Sequence, residues 1–200
     1  MVSYCQIFVA IVLLTVSRGH QVNLVQIAHI VYAVDVAFGG SCMTRPLPLI
    51  DGKVWKWGAT NAEMRLRYEK PKTSFTQGLW VYEHRNSDLD IWKPLYSFGM
   101  TEFTQKDFEI MSFAISTRRT SFFTRLIMCN LMLYDEEVDD IVGTIHIMDK
   151  MLKKRVQAQS EILAEFSSEE ERIKRLETHF GVVISDWERA GITGTVAEIK

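Results

Sequence analysis

At 200 residues, 47% hydrophobic and 24% charged, the chain has the make-up of one globular domain, or of one domain with an added helical piece. That composition excludes a disordered tail and a collagen-like fibre, and three cysteines are too few for a disulfide framework. A formal net charge of −2 provides no global basic field for nucleic acid.

Ile7 to Val16 is an uncharged run in which only Thr15 is polar. Its ten residues are too few for a bilayer, which needs about twenty. The run admits two readings. As the apolar region of a secretory signal it would be cut near Thr15-Val16-Ser17, although no Lys or Arg precedes it and the first is Arg18. As a strand buried on both faces it has the expected density of β-branched residues. The strand is preferred, and with it a cytoplasmic location; secretion through a cleaved N-terminal signal is the alternative. After cleavage Cys42 and Cys129 could pair; otherwise Cys5, Cys42 and Cys129 are small buried hydrophobes.

Val22 to Val34 carries apolar residues at 24, 27, 28, 31 and 34, which predicts a helix. Gly39-Gly40-Ser41 then forms a tight turn; it lacks the patterns of a Walker motif, a dinucleotide fingerprint or a nucleophile elbow. Asp51-Gly52 predicts a hairpin between Leu49-Ile50 and Val54-Trp55. Met64, Leu66 and Tyr68 alternate with Arg65, Arg67 and Glu69 as a half-buried strand with one wet face. Phe75 to Glu83 is the next strand, and Ile91 to Phe98, holding Pro94, an edge or broken one.

Asp107 to Ser116 reads as β-like, followed by a helix from about Arg118 to Leu133. Ile141 to Ile147 is a strand after the acidic run Tyr134 to Asp140. From Met148 to Phe166 apolar residues mark one helical face, and Ser168 with Glu171 caps a second helix that Gly181 stops. Two short strands, Val182 to Ile184 and Thr195 to Ile199, finish the chain. The expected division is an α+β sheet domain over 1–147 and a helical C-terminal extension over 148–200.

No catalytic constellation stands out. The histidines at 20, 29, 84, 146 and 179 lack paired spacing and read as structural, and no metal or cofactor motif is present. Charge is uneven: residues 1–100 hold 10 Lys+Arg against 7 Asp+Glu, net +3, and residues 101–200 hold 13 against 18, net −5. Trp55 and Trp57 with Arg65 and Arg67, and Arg118 and Arg119 at the presumed start of a helix, are the candidate binding residues.

From about Phe75 to Asp149 the order of elements resembles an uncharacterised, mostly bacterial family, domain-of-unknown-function family 4261. The residues that carry this are Leu95-Tyr96-Ser97-Phe98-Gly99, Met100-Thr101-Glu102-Phe103, Asp107-Phe108-Glu109-Ile110 and Asp139-Asp140-Ile141-Val142-Gly143-Thr144-Ile145. The resemblance implies an α+β domain and brings no catalytic residues.

The fold expected is α+β: a mixed, mainly antiparallel sheet with packed helices and a C-terminal helical extension. The expected function is that of a non-catalytic protein–protein interaction protein, of the immunity or inhibitor type found in bacteria or phage. A protein partner and self-association are in keeping with it; nucleic acid and membrane are not. The alternative is a hydrolase-like enzyme with a dispersed site, using His84 or His146 with Glu102, Asp107 or Glu109.

Overall fold

A computed structural model describes residues 5–14, 17–70, 78–157 and 159–199, with the backbone alone for 5–14 and 17–19. The chain divides into two compact units, Met1–Phe113 and Ala114–Lys200. Each is built on an antiparallel sheet carrying helical segments, so the α+β class holds.

The first unit contains β1 (Cys5–Leu14), β2 (Ser17–Ile27), β3 (Ile30–Val34), β4 (Leu47–Pro48), β5 (Val54–Lys56), β6 (Glu63–Glu69), β7 (Leu79–Arg85) and β8 (Lys93–Phe98). They form one eight-stranded sheet in the order β4-β3-β2-β1-β8-β7-β6-β5. The apolar run near the N-terminus is therefore a central strand, paired with β2 along its length and with β8 at Val12↔Phe98 and Leu13↔Ser97. Whether its side chains are buried lies outside the described residues, as do Phe75 to Gln77 of the strand expected there.

The expected helix over Val22 to Val34 is instead the β2–β3 hairpin. Its turn is Ala28-His29, with Ala28 at φ 54°. Val22 and Leu24 are buried on the same face as Ala33 and Asp35, so a period of two places the apolar residues where the helical count had also found them. Asp51-Gly52 does turn, with Gly52 at φ 72°, but the strands on either side do not pair with each other. β4 pairs with β3 and β5 with β6, at opposite edges of the sheet. β8 is a central strand despite Pro94. β1 pairs only with its far end, and Pro94 sits beside a register shift against β7, where the missing N–H costs no ladder bond.

Helix α1 (Gln105–Thr117) replaces the β-like segment over Asp107 to Ser116. Thr104 precedes it, and the Asp107 carboxylate accepts from both the Thr104 N–H and hydroxyl at 2.8 Å, one half of a capping box with spacing Thr-x-x-Asp. Arg118 and Arg119 thus follow a helix rather than begin one, at the end where the dipole favours cations.

The second unit's sheet runs β12-β11-β10-β9: β9 (Met128–Asp135), β10 (Asp140–Met148), β11 (Met151–Val156) and β12 (Gln159–Glu165). The helices expected over 118–133 and 148–166 are corrected accordingly to β9 and to the β11–β12 hairpin. Met148–Phe166 had mimicked a helix because Asp149 and Gln157, both at positive φ, close two turns that no glycine announces. Ile145, Ile147, Leu152 and Phe166 face Leu176 of α2 (Glu169–Phe180) in the core. α2 starts and stops as expected: the Ser168 hydroxyl accepts from Glu171 N, and Gly181 takes the left-handed cap at φ 66°. A short helix, α3 (Asp186–Ala190), follows, and no strand forms over 182–184 or 195–199. No helix among the described residues is long and apolar enough to cross a membrane.

At Gly143 on β10, an added Cβ would lie 2.1 Å from the backbone oxygen of Arg155 on β11. Gly143→Ala should therefore force the two strands apart and destabilise the chain by about 1–3 kcal/mol, read as a lower thermal midpoint.

Candidate functional site

The β2–β3 hairpin brings together two side chains fifteen positions apart. Extending the β2–β3 register by one pair sets Asp35 opposite Val22, with His20 its diagonal neighbour on the same face. His20 Nε2 lies 2.9 Å from Asp35 Oδ2. The Asp35 side chain is fully buried, whereas His20 keeps 14% of its side-chain exposure.

Three donors converge on this carboxylate. Besides His20, the Tyr96 hydroxyl donates to Oδ2 at 2.6 Å from β8, and the Ala37 N–H donates to Oδ1 at 3.1 Å. Burial alone would raise the Asp35 pKa, but the bonds from His20 and Tyr96, the charge of His20 and the Ala37 N–H outweigh it and hold it below the ordinary value. Asp35 is therefore an anion at neutral pH. Burial, then the nearby carboxylate, pushes the Tyr96 phenol well above its ordinary value, so Tyr96 stays a donor.

Aromatic rings fix the imidazole from its sides. Phe38 meets His20 edge-on at 5.4 Å between ring centroids, Tyr96 lies 5.7 Å from it, and Phe38 and Tyr96 are 4.7 Å apart. The Gly39 turn next to Phe38 closes through Cys42 N to Gly39 O at 3.0 Å, with Gly39 at φ 99°, a conformation a side chain would strain. Trp57 pins this turn by donating from Nε1 to Cys42 O at 2.7 Å, and Tyr82 donates to Ser41 O at 2.9 Å.

Chemically, this is a base held by an orienting carboxylate. With Nε2 engaged by Asp35, the imidazole exchanges a proton with a reacting group through Nδ1. Cys42 is not an activated nucleophile, because burial and then the Asp35 charge push its thiol up to about 11. Nor can Cys5 serve. Val12 is the β1 residue paired with His20, and Cys5 is seven residues away, about 23 Å along the strand.

Removing the Tyr96 hydroxyl should loosen the carboxylate. Tyr96→Phe deletes a charge-assisted hydrogen bond and should cost about 1.5–3 kcal/mol. A carboxylate with a lowered folded pKa contributes stability above its unfolded pKa, and that stability is lost as pH falls through the folded value. Tyr96→Phe raises the folded value, so its acid-unfolding midpoint should move to higher pH, measured by circular dichroism against pH.

The candidate binding residues are placed otherwise. Trp57 is buried in the core at 1% exposure. Trp55 is half-buried on β5, with Lys53 Nζ 4.3 Å above its ring. Arg65 Nε donates to Glu83 at 2.6 Å and its guanidinium lies over Trp92 at 4.1 Å; Arg67 donates to Asp51 at 3.3 Å. Arg118 and Arg119 are exposed and belong to the second unit. Of the dispersed alternative, His84 is buried edge-on to Trp57, Asp107 caps α1, and His146 stands beside Lys153 and Arg155 rather than a carboxylate. The pair that does form, His20 with Asp35, was hidden by the helical reading, which would set the two about 22 Å apart.

A family model described as N-acetyltransferase matches residues 13–188. The chain is 32% identical over 184 residues to the N-malonyltransferase FDB2 of Fusarium pseudograminearum, covering 87% of this chain and 53% of that protein. It is 31% identical to the FDB2 of Gibberella moniliformis, covering 86% and 52%. The chain thus spans about half the length of the curated relatives it matches. Among solved structures, the arylamine N-acetyltransferase of Salmonella typhimurium superposes with a TM-score of 0.76 at 18% identity, covering 94% of this chain and 68% of that one. The Mycobacterium marinum enzyme in complex with CoA gives 0.72 at 21%, covering 89% and 63%.

These matches overturn three expectations. The resemblance to domain-of-unknown-function family 4261 rested on short aromatic and acidic segments over 75 residues, whereas the family model spans the chain from 13 to 188. The non-catalytic interaction protein falls because the matching family is one of enzymes. So does the immunity or inhibitor type from bacteria or phage, since the curated relatives are transferases from Fusarium and Gibberella.

Proposed function

Because the chain belongs to the N-acetyltransferase family, we propose that it takes part in N-acyl transfer, with His20 as the base and Asp35 as the carboxylate that orients it. The observation that carries this reading is the 2.9 Å His20–Asp35 contact, buried at the carboxylate and partly open at the imidazole. The relatives' names indicate an acetyl or malonyl group, and a CoA thioester is the donor suggested by the Mycobacterium marinum complex.

In such a transfer the amine nitrogen bonds to the acyl carbon, the carbon–sulfur bond breaks, and the proton from nitrogen ends on the departing thiol. His20 Nδ1 would take that proton from the attacking group and return it to the leaving sulfur. The same base serves if a thiol accepts the acyl group first and passes it to the amine. Asp35 stabilises the imidazolium while the proton is held there.

The test is to incubate the protein with an arylamine and acetyl- or malonyl-CoA and to follow the N-acylated product by mass spectrometry. The wild-type protein should form it and His20→Gln should not; equal rates from the two would refute the assignment. Cys42 and Cys129 are free thiols, which supports placing this activity in the reducing cytoplasm.

A further inference from the structure

We propose that the four-stranded sheet of the second unit carries a site for a soft monovalent metal ion, Cu(I). Its ligands are the thioethers of Met128, Met148 and Met151 and the imidazole of His146. It is independent of the His20–Asp35 pair.

The strand register assembles these groups. Met148 on β10 lies directly across from Met128 on β9 and from Met151 on β11, so three thioethers form one row over three adjacent strands. His146 stands two positions before Met148 and shares its face. This is the face away from α2, because Ile145, Ile147 and Leu152 on the other side pack with Leu176. It is closed at Thr144, which is 2% exposed, and opens toward Met148, which is 44% exposed. Backbone bonds fix the row at its turn: Asp149 N donates to Ile127 O at 2.9 Å, and Phe166 N to Lys150 O at 2.7 Å.

Opposed Cβ atoms on neighbouring strands stand about 4.5–5.5 Å apart, and the unbranched methionine side chain lets the outer sulfurs lean toward the middle one. Thioethers are soft, neutral donors that select Cu(I), and an imidazole completes such a set. Among the described residues no three His, Cys, Asp or Glu side chains gather as a site for a harder ion. Charge favours the same choice. Lys153 lies across from His146 and repels a divalent ion more strongly than a monovalent one, while Glu165, across from Met151, partly offsets it. Burial, and then the charges of Lys153 and Arg155, hold the His146 pKa below its ordinary value, which leaves the ring neutral and able to ligate at neutral pH.

The experiment titrates the 200-residue protein with Cu(I) under anaerobic conditions, following the methionine methyl and histidine ring signals by NMR. The methyls of Met128, Met148 and Met151 and the His146 ring should move together and saturate. Met148→Leu and Met151→Leu conserve volume and so the fold, and each should weaken this response by about ten-fold or more. Met100→Leu, at an exposed methionine of the first unit, should leave it unchanged, and Zn(II) should not produce it. Uptake by the thiols of Cys42 or Cys129 alone would leave Met151 and His146 unmoved, and would overturn the site. So would an undiminished response in Met148→Leu, or an equal one to Zn(II).

Discussion

Asp35→Asn should lower the rate of N-acyl transfer by about 10³–10⁴-fold while leaving the fold intact. The amide matches the carboxylate in shape; with its oxygen kept toward the Ala37 N–H, its NH2 takes the Oδ2 position that His20 and Tyr96 share, and the Tyr96 hydroxyl then accepts one of its two N–H groups. What changes is the proton on the imidazole. An amide N–H directed at His20 makes Nε2 an acceptor and moves the ring proton to Nδ1, the nitrogen that must be bare to accept a proton. The imidazolium also loses its counter-charge in a buried setting, where charges are poorly screened. The loss should appear in kcat with KM little changed, because the carboxylate contributes once a proton has moved and not to substrate binding. A variant rate within ten-fold of wild type would show that Asp35 does not act through His20.

The second large effect concerns stability and lies in the other unit. Arg172 on α2 is 1% exposed and ties three parts of the second unit together. It pairs with the Glu169 carboxylate, donates to Ala197 O at 2.9 Å in the C-terminal segment, and reaches Asp149 O in the β10–β11 turn at 3.4 Å. Glu169 in turn accepts from Ile199 N at 2.7 Å. Arg172→Ala leaves the half-buried Glu169 carboxylate with the Ile199 N–H but without its counter-charge, and strips two carbonyls of their side-chain donor, so it should cost about 3–5 kcal/mol. In thermal unfolding that corresponds to a fall of roughly 6–20 °C. Replacing both partners, as in Glu169→Gln with Arg172→Met, should recover a good part of the loss, since the penalty comes from stranding one charge and not from the absence of an ion pair.

Much of the fold is legible where local chemistry speaks for itself. The alternation in β6, the Ser168 and Gly181 caps of α2 and the β-branched run of β1 all appear where physical rules place them. Two of the failures share a cause. Ala28, Asp149 and Gln157 each take positive φ in a two-residue turn, with no Asn-Gly or Asp-Gly to mark it. Without a visible break, the strands on either side read as one continuous helix, over 22–34 and again over 148–166. The site was lost with the first of these turns. His20 and Asp35 meet only when the chain reverses at Ala28-His29, and no spacing rule for catalytic pairs covers a separation of fifteen positions. The signal that could have found them is the period-two burial of Val22, Leu24, Ala33 and Asp35, which places a carboxylate on an apolar face and asks what satisfies it.

The central claim is that Asp35 holds His20 with its proton on Nε2 and Nδ1 bare. Ring-nitrogen NMR of the histidines reads this directly. The account predicts the Nε2–H tautomer for His20 at neutral pH, with a downfield ring proton that disappears in Asp35→Asn. A His20 ring protonated on Nδ1 in the wild-type protein, or one unaffected by Asp35→Asn, would contradict it.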